Sequence, residues 1–350
     1  MASPLSYGTK TASPFISEYV EILNEKIEIT PINGFKLANY EVSYKLKAKK
    51  EGGQIPLLFH AYDYYDDFIV TFNGNEVYLQ DVSQDYTQLS GTQFHDFSNV
   101  FSSNRTNKNQ EAPIKFEENN YYFLSTKDLK FFIIDIPKGI HEVTVHYTAE
   151  PWVDRSNWVK EYTFRYSLYP AKYWKSFGEL EVILNTTAME DSISSNISKQ
   201  KIGPGGIKSY TFNSLPTDVL MISYIPEINR TAQQLIAISP FGIAVIIFSV
   251  LFVIHLTLIV THRKRGNDKN FSWIVALGSI TMCFIGIYTY VYSFTFIANV
   301  IGDEAGRFFG YKFVFWIFYP IILLVYWLIM WSFDNLLRKK PNRNATSDDV

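Results

Sequence analysis

Three uninterrupted apolar stretches near the C-terminal end decide what this chain can become. Residues 241–260, 272–300 and 313–333 contain no Asp, Glu, Lys or Arg. Each exceeds the roughly 18 residues that mark a membrane-crossing helix. A soluble fold has no place for three such helices, so a soluble enzyme is excluded, as are collagen-like and disordered chains. Whole-chain averages conceal this, because 47% hydrophobic residues and a net charge of −2 suit an ordinary globular protein. Residues 236–350 hold 10 Lys/Arg against 6 Asp/Glu, whereas residues 1–235 hold 22 against 28. That acidic front section has no pool of basic charge for a nucleic-acid partner.

The basic residues also set an expected orientation. Arg263, Lys264, Arg265 and Lys269 lie between the first two stretches, and Arg338, Lys339, Lys340 and Arg343 follow the third. The remaining loop, near 301–312, has only Arg307 and Lys312, offset by Asp303 and Glu304. Lys and Arg near span ends stay on the cytoplasmic side, which puts the first loop and the tail inside and residues 1–235 outside. The expected organisation is an extracytoplasmic domain over 1–230, a linker over 231–239, spans at 240–261, 272–298 and 312–333, and a cytoplasmic tail over 335–350. Ser239 is placed to cap the first span, with Pro240 at its first helical position. Pro320 is expected to kink the third span from its middle by removing a bond to the Trp316 carbonyl. An exported domain needs a signal, and the segment Met1–Ser6 lacks the basic-then-apolar pattern, so a signal peptide is expected to have been removed.

The only cysteine, Cys283, falls inside the second span, leaving the outer domain without disulfides. That favours a bacterial envelope over a eukaryotic lumen. The four Asn-x-Ser/Thr sequons within residues 1–235, at Asn104, Asn185, Asn196 and Asn229, weigh little in a chain rich in Asn, Ser and Thr.

Period-two alternation dominates the front section. Tyr40, Val42, Tyr44 and Leu46 alternate with Glu41, Ser43, Lys45 and Lys47, and Tyr162, Phe164, Tyr166 and Leu168 alternate with polar residues likewise. Such segments read as half-buried strands. Further strands are expected at 26–30, 55–60, 67–72, 76–80, 130–136, 140–147, 179–184, 207–212 and 218–224, closing as a β-sandwich. Asn73-Gly74 and Pro137-Lys138-Gly139 each read as a hairpin turn between flanking strands. Residues 83–120, rich in Ser, Asn, Gln and Thr, read as a long surface insertion.

The runs Asp-Asp-Phe-Ile-Val-Thr-Phe-Asn-Gly-Asn-Glu-Val at 66–77 and Ile-Pro-Lys-Gly-Ile-His-Glu-Val-Thr-Val-His-Tyr at 136–147 resemble the jelly-roll, galactose-binding-like sandwiches of bacterial envelope proteins and glycan-active enzymes. They also resemble outer β-domains fused to multi-span envelope membrane proteins. The resemblance covers about 80 residues and implies a fold; no sugar-contacting position maps across.

Two aromatic concentrations are candidate ligand sites. Tyr62, Asp63, Tyr64, Asp66 and Asp67 combine stacking faces with acceptors for hydroxyls, as sugar sites do; alternatively they form an acidic loop before a strand. Trp152, Trp158 and Trp174, near Tyr173 and basic tips, suit docking on a partner or on headgroups, or plugging one end of a sandwich. A glycosidase pair would have to come from Asp63, Asp66, Asp67, Glu117, Glu118 and Asp154, whose spacing selects no pair. His141 and His146, five apart on a strand, point to opposite faces and cannot share a metal ion. Neither metal nor cofactor is implied.

Within the spans His255 reads as a hydrogen-bonded interface residue. Gly278, Ser279, Gly286 and Ser293 supply the small surface that helix interfaces in lipid use. The expected function is a non-catalytic integral envelope protein, a scaffold or subunit presenting its β-sandwich outside. Its partners would be the bilayer and either a membrane protein or further copies of itself. A glycan- or ligand-binding receptor is the alternative, and an envelope enzyme with an acidic pair the second alternative.

Overall fold

The structure of the protein, a computed structural model, describes residues 2–6, 13–14, 19–81, 101–102, 110–117, 120–265, 272–306, 310 and 312–338. It divides into a β-rich unit, 1–154 with 161–225, and a helical unit, 155–160 with 226–350.

Among the described residues the β-rich unit contains four sheets. The largest, with seven strands, orders β18 (Ile207–Phe212), β16 (Phe177–Asn185), β3 (Val20–Ile32), β4 (Leu37–Ala48), β13 (Gly139–Ala149), β6 (Tyr64–Phe72) and β7 (Asn75–Glu76). It is mixed, because β16 runs parallel to β3 while its other pairs are antiparallel. A five-stranded sheet orders β2 (Ser13–Pro14), β1 (Ala2–Ser6), β5 (Gly52–His60), β12 (Leu129–Ile136) and β8 (Leu79–Asp81). A four-stranded sheet orders β14 (Trp152–Asp154), β15 (Glu161–Ser167), β19 (Val219–Tyr224) and β17 (Ser194–Ser195). Within the expected insertion, β9 (Phe101–Ser102) and β10 (Gln110–Glu117) join β11 (Asn120–Ser125) in a three-stranded sheet; the rest of 83–109 lies outside the described residues.

The alternation read from the chain is the alternation that is buried. Tyr40, Val42, Tyr44 and Leu46 of β4 face inward, as do Phe164 and Tyr166 of β15. Tyr40 stacks on Tyr147 of β13 with centroids 4.6 Å apart, and Phe59 of β5 meets Tyr147 and Tyr166 edge-on. One contiguous apolar core therefore draws on all three larger sheets.

The two expected hairpins separate here. Asn73 and Gly74 both take positive φ, 48° and 81°, and close β6 onto β7 as expected. Pro137-Lys138-Gly139 does not close a hairpin: β12 pairs with β5 and β8, whereas β13 pairs with β4 and β6. The turn carries the chain from one sheet to another, in keeping with a β12 that is buried on both faces at Phe131 and Phe132. His141 ties the two turns together. Its Nε2–H donates to the Pro137 carbonyl at 2.7 Å, and its Nδ1 accepts from the Asn73 amide at 3.0 Å.

The helical unit contains α1 (Arg230–Lys264), α2 (Trp273–Ile301) and α3 (Tyr319–Arg338), the last preceded by a 3-10 segment, Lys312–Phe318. All three are long and apolar enough to cross a membrane. The segment read as a linker is itself helical, and the chain breaks at Ser239, where φ is 66°. The Ser239 hydroxyl accepts from the Gly242 N–H at 3.3 Å, so the cap ahead of Pro240 stands where it was expected. Pro320 corrects the expectation of a mid-span kink. It is the second residue of α3, where its missing N–H breaks no helical bond, and the turns before it are 3-10 instead of α.

Residues 155–160 are built into this unit through the α2–α3 connection. Lys160 N–H donates to the Glu304 carbonyl at 2.9 Å, Gly306 N–H donates to the Trp158 carbonyl at 2.8 Å, and Trp158 stacks on Phe294. A Cβ at Gly306 would stand 1.8 Å from the Asn157 carbonyl oxygen, so only glycine allows this approach. Gly306→Val is expected to release the segment, seen as faster proteolysis at 155–160; unchanged proteolysis would contradict the contact.

Candidate functional site

Three of the nominated residues converge, on a residue the sequence reading passed over. In the register of the β14–β15 pair, Trp152 stands opposite Thr163. That makes Arg165 its diagonal neighbour on the same face. The Arg165 guanidinium lies 5.7 Å from the Trp152 ring centroid and 4.8 Å from that of Tyr62. Asp63 grips it with both oxygens: Nε donates to Oδ2 at 3.1 Å, and Nη2 donates to Oδ1 at 2.9 Å and to Oδ2 at 2.7 Å. The result is a cation fixed by one carboxylate and flanked by two aromatic faces, with Trp152 about half exposed.

The loop carrying Tyr62 and Asp63 is pinned from several directions. Asp63 has φ of 54°, and its carbonyl accepts from the Glu150 N–H at 2.9 Å. Asp128 holds the loop's ends, accepting from Ala61 N–H on its carbonyl at 2.8 Å and from Tyr64 N–H on its carboxylate at 3.2 Å. Burial, reinforced by the neighbouring charge of Asp63, pushes the Asp128 carboxyl up to about 6. Below the loop His60 packs its ring 4.0 Å from that of Tyr62, and burial lowers its pKa to about 3, so it stays neutral. Asp63→Asn is expected to cost about 1 kcal/mol, since both members of the ion pair are roughly a quarter exposed. The Trp152 emission should shift as the guanidinium loosens. An unaltered thermal midpoint and emission would contradict the clamp.

The other nominated residues stand apart. The Tyr64 ring lies under the Lys130 ammonium at 4.1 Å. Asp66 accepts from the Asp67 N–H, and both are exposed. Trp174 is 6% exposed and belongs to the apolar core, which corrects its reading as a ligand contact: a ring packed on all sides has no face for a ligand. Trp158 belongs to the helical unit. Among the described residues no group of three or more His, Cys, Asp or Glu could hold a metal ion.

In the helical unit the small residues of α2 receive α1. A Cβ on Gly278 would lie 2.1 Å from His255 Nε2, and one on Gly286 would lie 2.9 Å from the Phe248 ring. Ser279 and Ser293 are buried, each donating to the carbonyl four residues before it. The nominated interface is thus consumed within the chain. His255 is fully buried, donating from Nε2 to the Ile274 carbonyl at 3.1 Å and accepting at Nδ1 from the Tyr326 hydroxyl at 3.0 Å. Gly278→Ala is expected to cost about 1–3 kcal/mol by forcing the imidazole aside; a variant as stable as the parent in detergent would contradict this packing. An ion cluster unforeseen in the sequence joins α1 to α3. Asp334 accepts from Arg263 Nε at 2.7 Å and Nη2 at 2.6 Å, and from Arg338 Nη2 at 3.0 Å.

No family model matches the chain, and no curated protein matches it. Among solved structures it is similar to an M1 zinc metallopeptidase from Deinococcus radiodurans, at 10% identity and a TM-score of 0.30, over 60% of this chain and 43% of that one. It is also similar to leukotriene A4 hydrolase from Saccharomyces cerevisiae, at 9% identity and a TM-score of 0.33, over 59% and 29%. The chain spans less than half the length of these proteins, and likeness at this level carries no argument about what it does.

Proposed function

We propose that the protein is a non-catalytic integral membrane protein of a bacterial envelope, a scaffold or subunit that presents its β-rich unit outside the membrane. The observation that carries this reading is the engagement of Asp63. Both of its oxygens are committed to Arg165, so Asp63 serves a structural clamp and is withdrawn from any carboxylate pair for acid–base work. The rings that the clamp orients offer a recognition face. The β-rich unit closes as a sandwich in this reading, its seven-stranded sheet covered on the core side by Phe59 and by Phe164 and Tyr166.

The geometry of the helical unit supports the orientation. Asn229, at the start of α1, donates to the Val300 carbonyl near the end of α2, and Lys160 bonds to Glu304. Every point where the chain passes to the β-rich unit is therefore at the 301–306 end. The basic run 262–265 and Arg338 stand at the other end, which the positive-inside rule assigns to the cytoplasm. Gentle-detergent extraction after cross-linking in intact membranes tests the reading. A stoichiometric membrane partner or a defined oligomer is expected, and a strictly monomeric, partner-free protein would overturn it.

The second reading, a glycan- or ligand-binding receptor, draws on the half-exposed Trp152 ring beside Tyr62. It expects retention on glycan supports that Trp152→Ala abolishes.

A further inference from the structure

The clamp on Arg165 leaves hydrogen-bonding capacity unspent, and the remainder has a definite pattern. Asp63 takes the guanidinium by one side, through Nε and Nη2. Nη1 makes no hydrogen bond among the described residues, and the Arg165 side chain keeps 26% of its surface exposed. Two N–H donors are therefore left for a ligand. On the other member of the pair Oδ2 accepts two bonds and Oδ1 only one, so Oδ1 retains a lone pair. The two side chains thus present a spare donor and a spare acceptor close together, on a unit whose charges cancel.

An apolar surface adjoins them. The Trp152 ring is 47% exposed, and Met221, opposite Arg165 in the β15–β19 register, is 41% exposed. Across the sheet from Trp152 the register runs through Thr163, Ser223 and Ser194. That row holds no bulky side chain to cover the ring.

The leftover groups select among ligand chemistries. A carboxylate or phosphate offers acceptors only, and it would approach a guanidinium already neutralised by Asp63, on the loop that also carries the exposed Asp66 and Asp67. A basic ligand would meet the guanidinium itself. A hydroxyl both donates and accepts, so two neighbouring hydroxyls satisfy Nη1 and Oδ1 together. A pyranose carries such pairs around its edge, and its C–H face suits the electron-rich face of an aromatic ring.

We infer that the Arg165–Asp63 pair and the Trp152 ring form a subsite for a neutral pyranose, whose adjacent hydroxyls bond Nη1 and Oδ1 while its C–H face lies on Trp152. This rests on the receptor reading of the β-rich unit and sharpens it. Charge sets the sugar class, and Asp63 is the residue that disfavours acidic sugars.

The test uses the full chain in a polyoxyethylene detergent, which carries no sugar headgroup, titrated calorimetrically with neutral tetrasaccharides of glucose, mannose or galactose and with tetragalacturonate. At least one neutral sugar should bind with an affinity unchanged between about 0.1 and 1 M salt, and tetragalacturonate should bind at least about tenfold more weakly. Saturation-transfer NMR on the wild-type chain should show the strongest transfer from aromatic protons to the sugar's ring C–H protons. Trp152→Ala should weaken the neutral sugar at least about tenfold. Asp63→Asn, which uncovers the charge of Arg165, should shift the preference toward tetragalacturonate by a similar factor. The titration and the saturation transfer need no substitution, so misfolding of a variant leaves the test intact. Tighter binding of tetragalacturonate by the wild-type chain, or the wild-type preference in a folded Asp63→Asn variant, would overturn the inference and leave the receptor reading standing. Binding of no saccharide would overturn both, and the face would then belong to the protein partner of the scaffold reading.

Discussion

Replacing Asp334 with Asn is expected to destabilise the helical unit by about 3–5 kcal/mol, because it leaves a buried guanidinium without its counter-ion. The Asp334 side chain is 1% exposed and that of Arg263 8%, and the two meet through two charge-assisted bonds at 2.7 and 2.6 Å. Their Coulomb attraction offsets desolvation only while both are present. The double variant Arg263→Met, Asp334→Leu removes both charges and should therefore be less destabilised than Asp334→Asn alone, a non-additivity that marks the pair as coupled. Unfolding in mixed micelles measures both. A single variant within 0.5 kcal/mol of the parent would show that the pair does not hold α1 to α3.

The second large effect concerns Glu25, which is fully buried in the β-rich core. Its Oε1 accepts from the Tyr166 hydroxyl at 2.9 Å, Tyr166 lies 2.8 Å from the Tyr44 hydroxyl, and Oε2 has no hydrogen-bond partner. Desolvation pushes the carboxyl up to about 7 from an ordinary 4.5, outweighing the Tyr166 bond. A folded-state pKa raised above the unfolded value makes the native state the stronger proton binder. The stabilisation is complete below the unfolded pKa and disappears as pH rises through 7. Between pH 8 and 5.5 the wild-type unit should gain about 2 kcal/mol relative to Glu25→Gln. His60 and Asp128 titrate in both proteins and cancel in the difference. Hydrogen exchange of β3 and β4 amides in the full chain supplies the measurement, and a pH-independent difference would refute the assignment.

What could be read in advance divides along physical lines. The apolar stretches and strand alternation are local patterns repeated over many residues, so α1, α2 and most strands stand where they were expected. Glu25 shows where alternation fails. A bulge between Ile22 and Asn24 of β3 shifts the inward phase from even to odd positions, turning a carboxylate into the core. Gly178 permits it, since a Cβ there would meet the Leu23 carbonyl oxygen at 2.1 Å. Turn chemistry identified Pro137-Lys138-Gly139 as a turn but could not name the strands it joins, because pairing partners are chosen across the sheet. Arg165 looked like an ordinary residue on a wet face until β14 brought Trp152 beside it. Asp334 lies one residue beyond the third apolar stretch, and its partner is 71 positions away, a separation that no local pattern encodes.

The proposed topology puts the β-rich unit and residues 266–271 on opposite sides of the membrane. In a Cys283→Ala background, single cysteines at Ser214, exposed in the β-rich unit, and at Asn267 can be probed in intact cells with a membrane-impermeant maleimide. Ser214→Cys is predicted to label in intact cells, and Asn267→Cys only after permeabilisation. Labelling of Asn267→Cys from outside, or protection of Ser214→Cys until the membrane is opened, would contradict it.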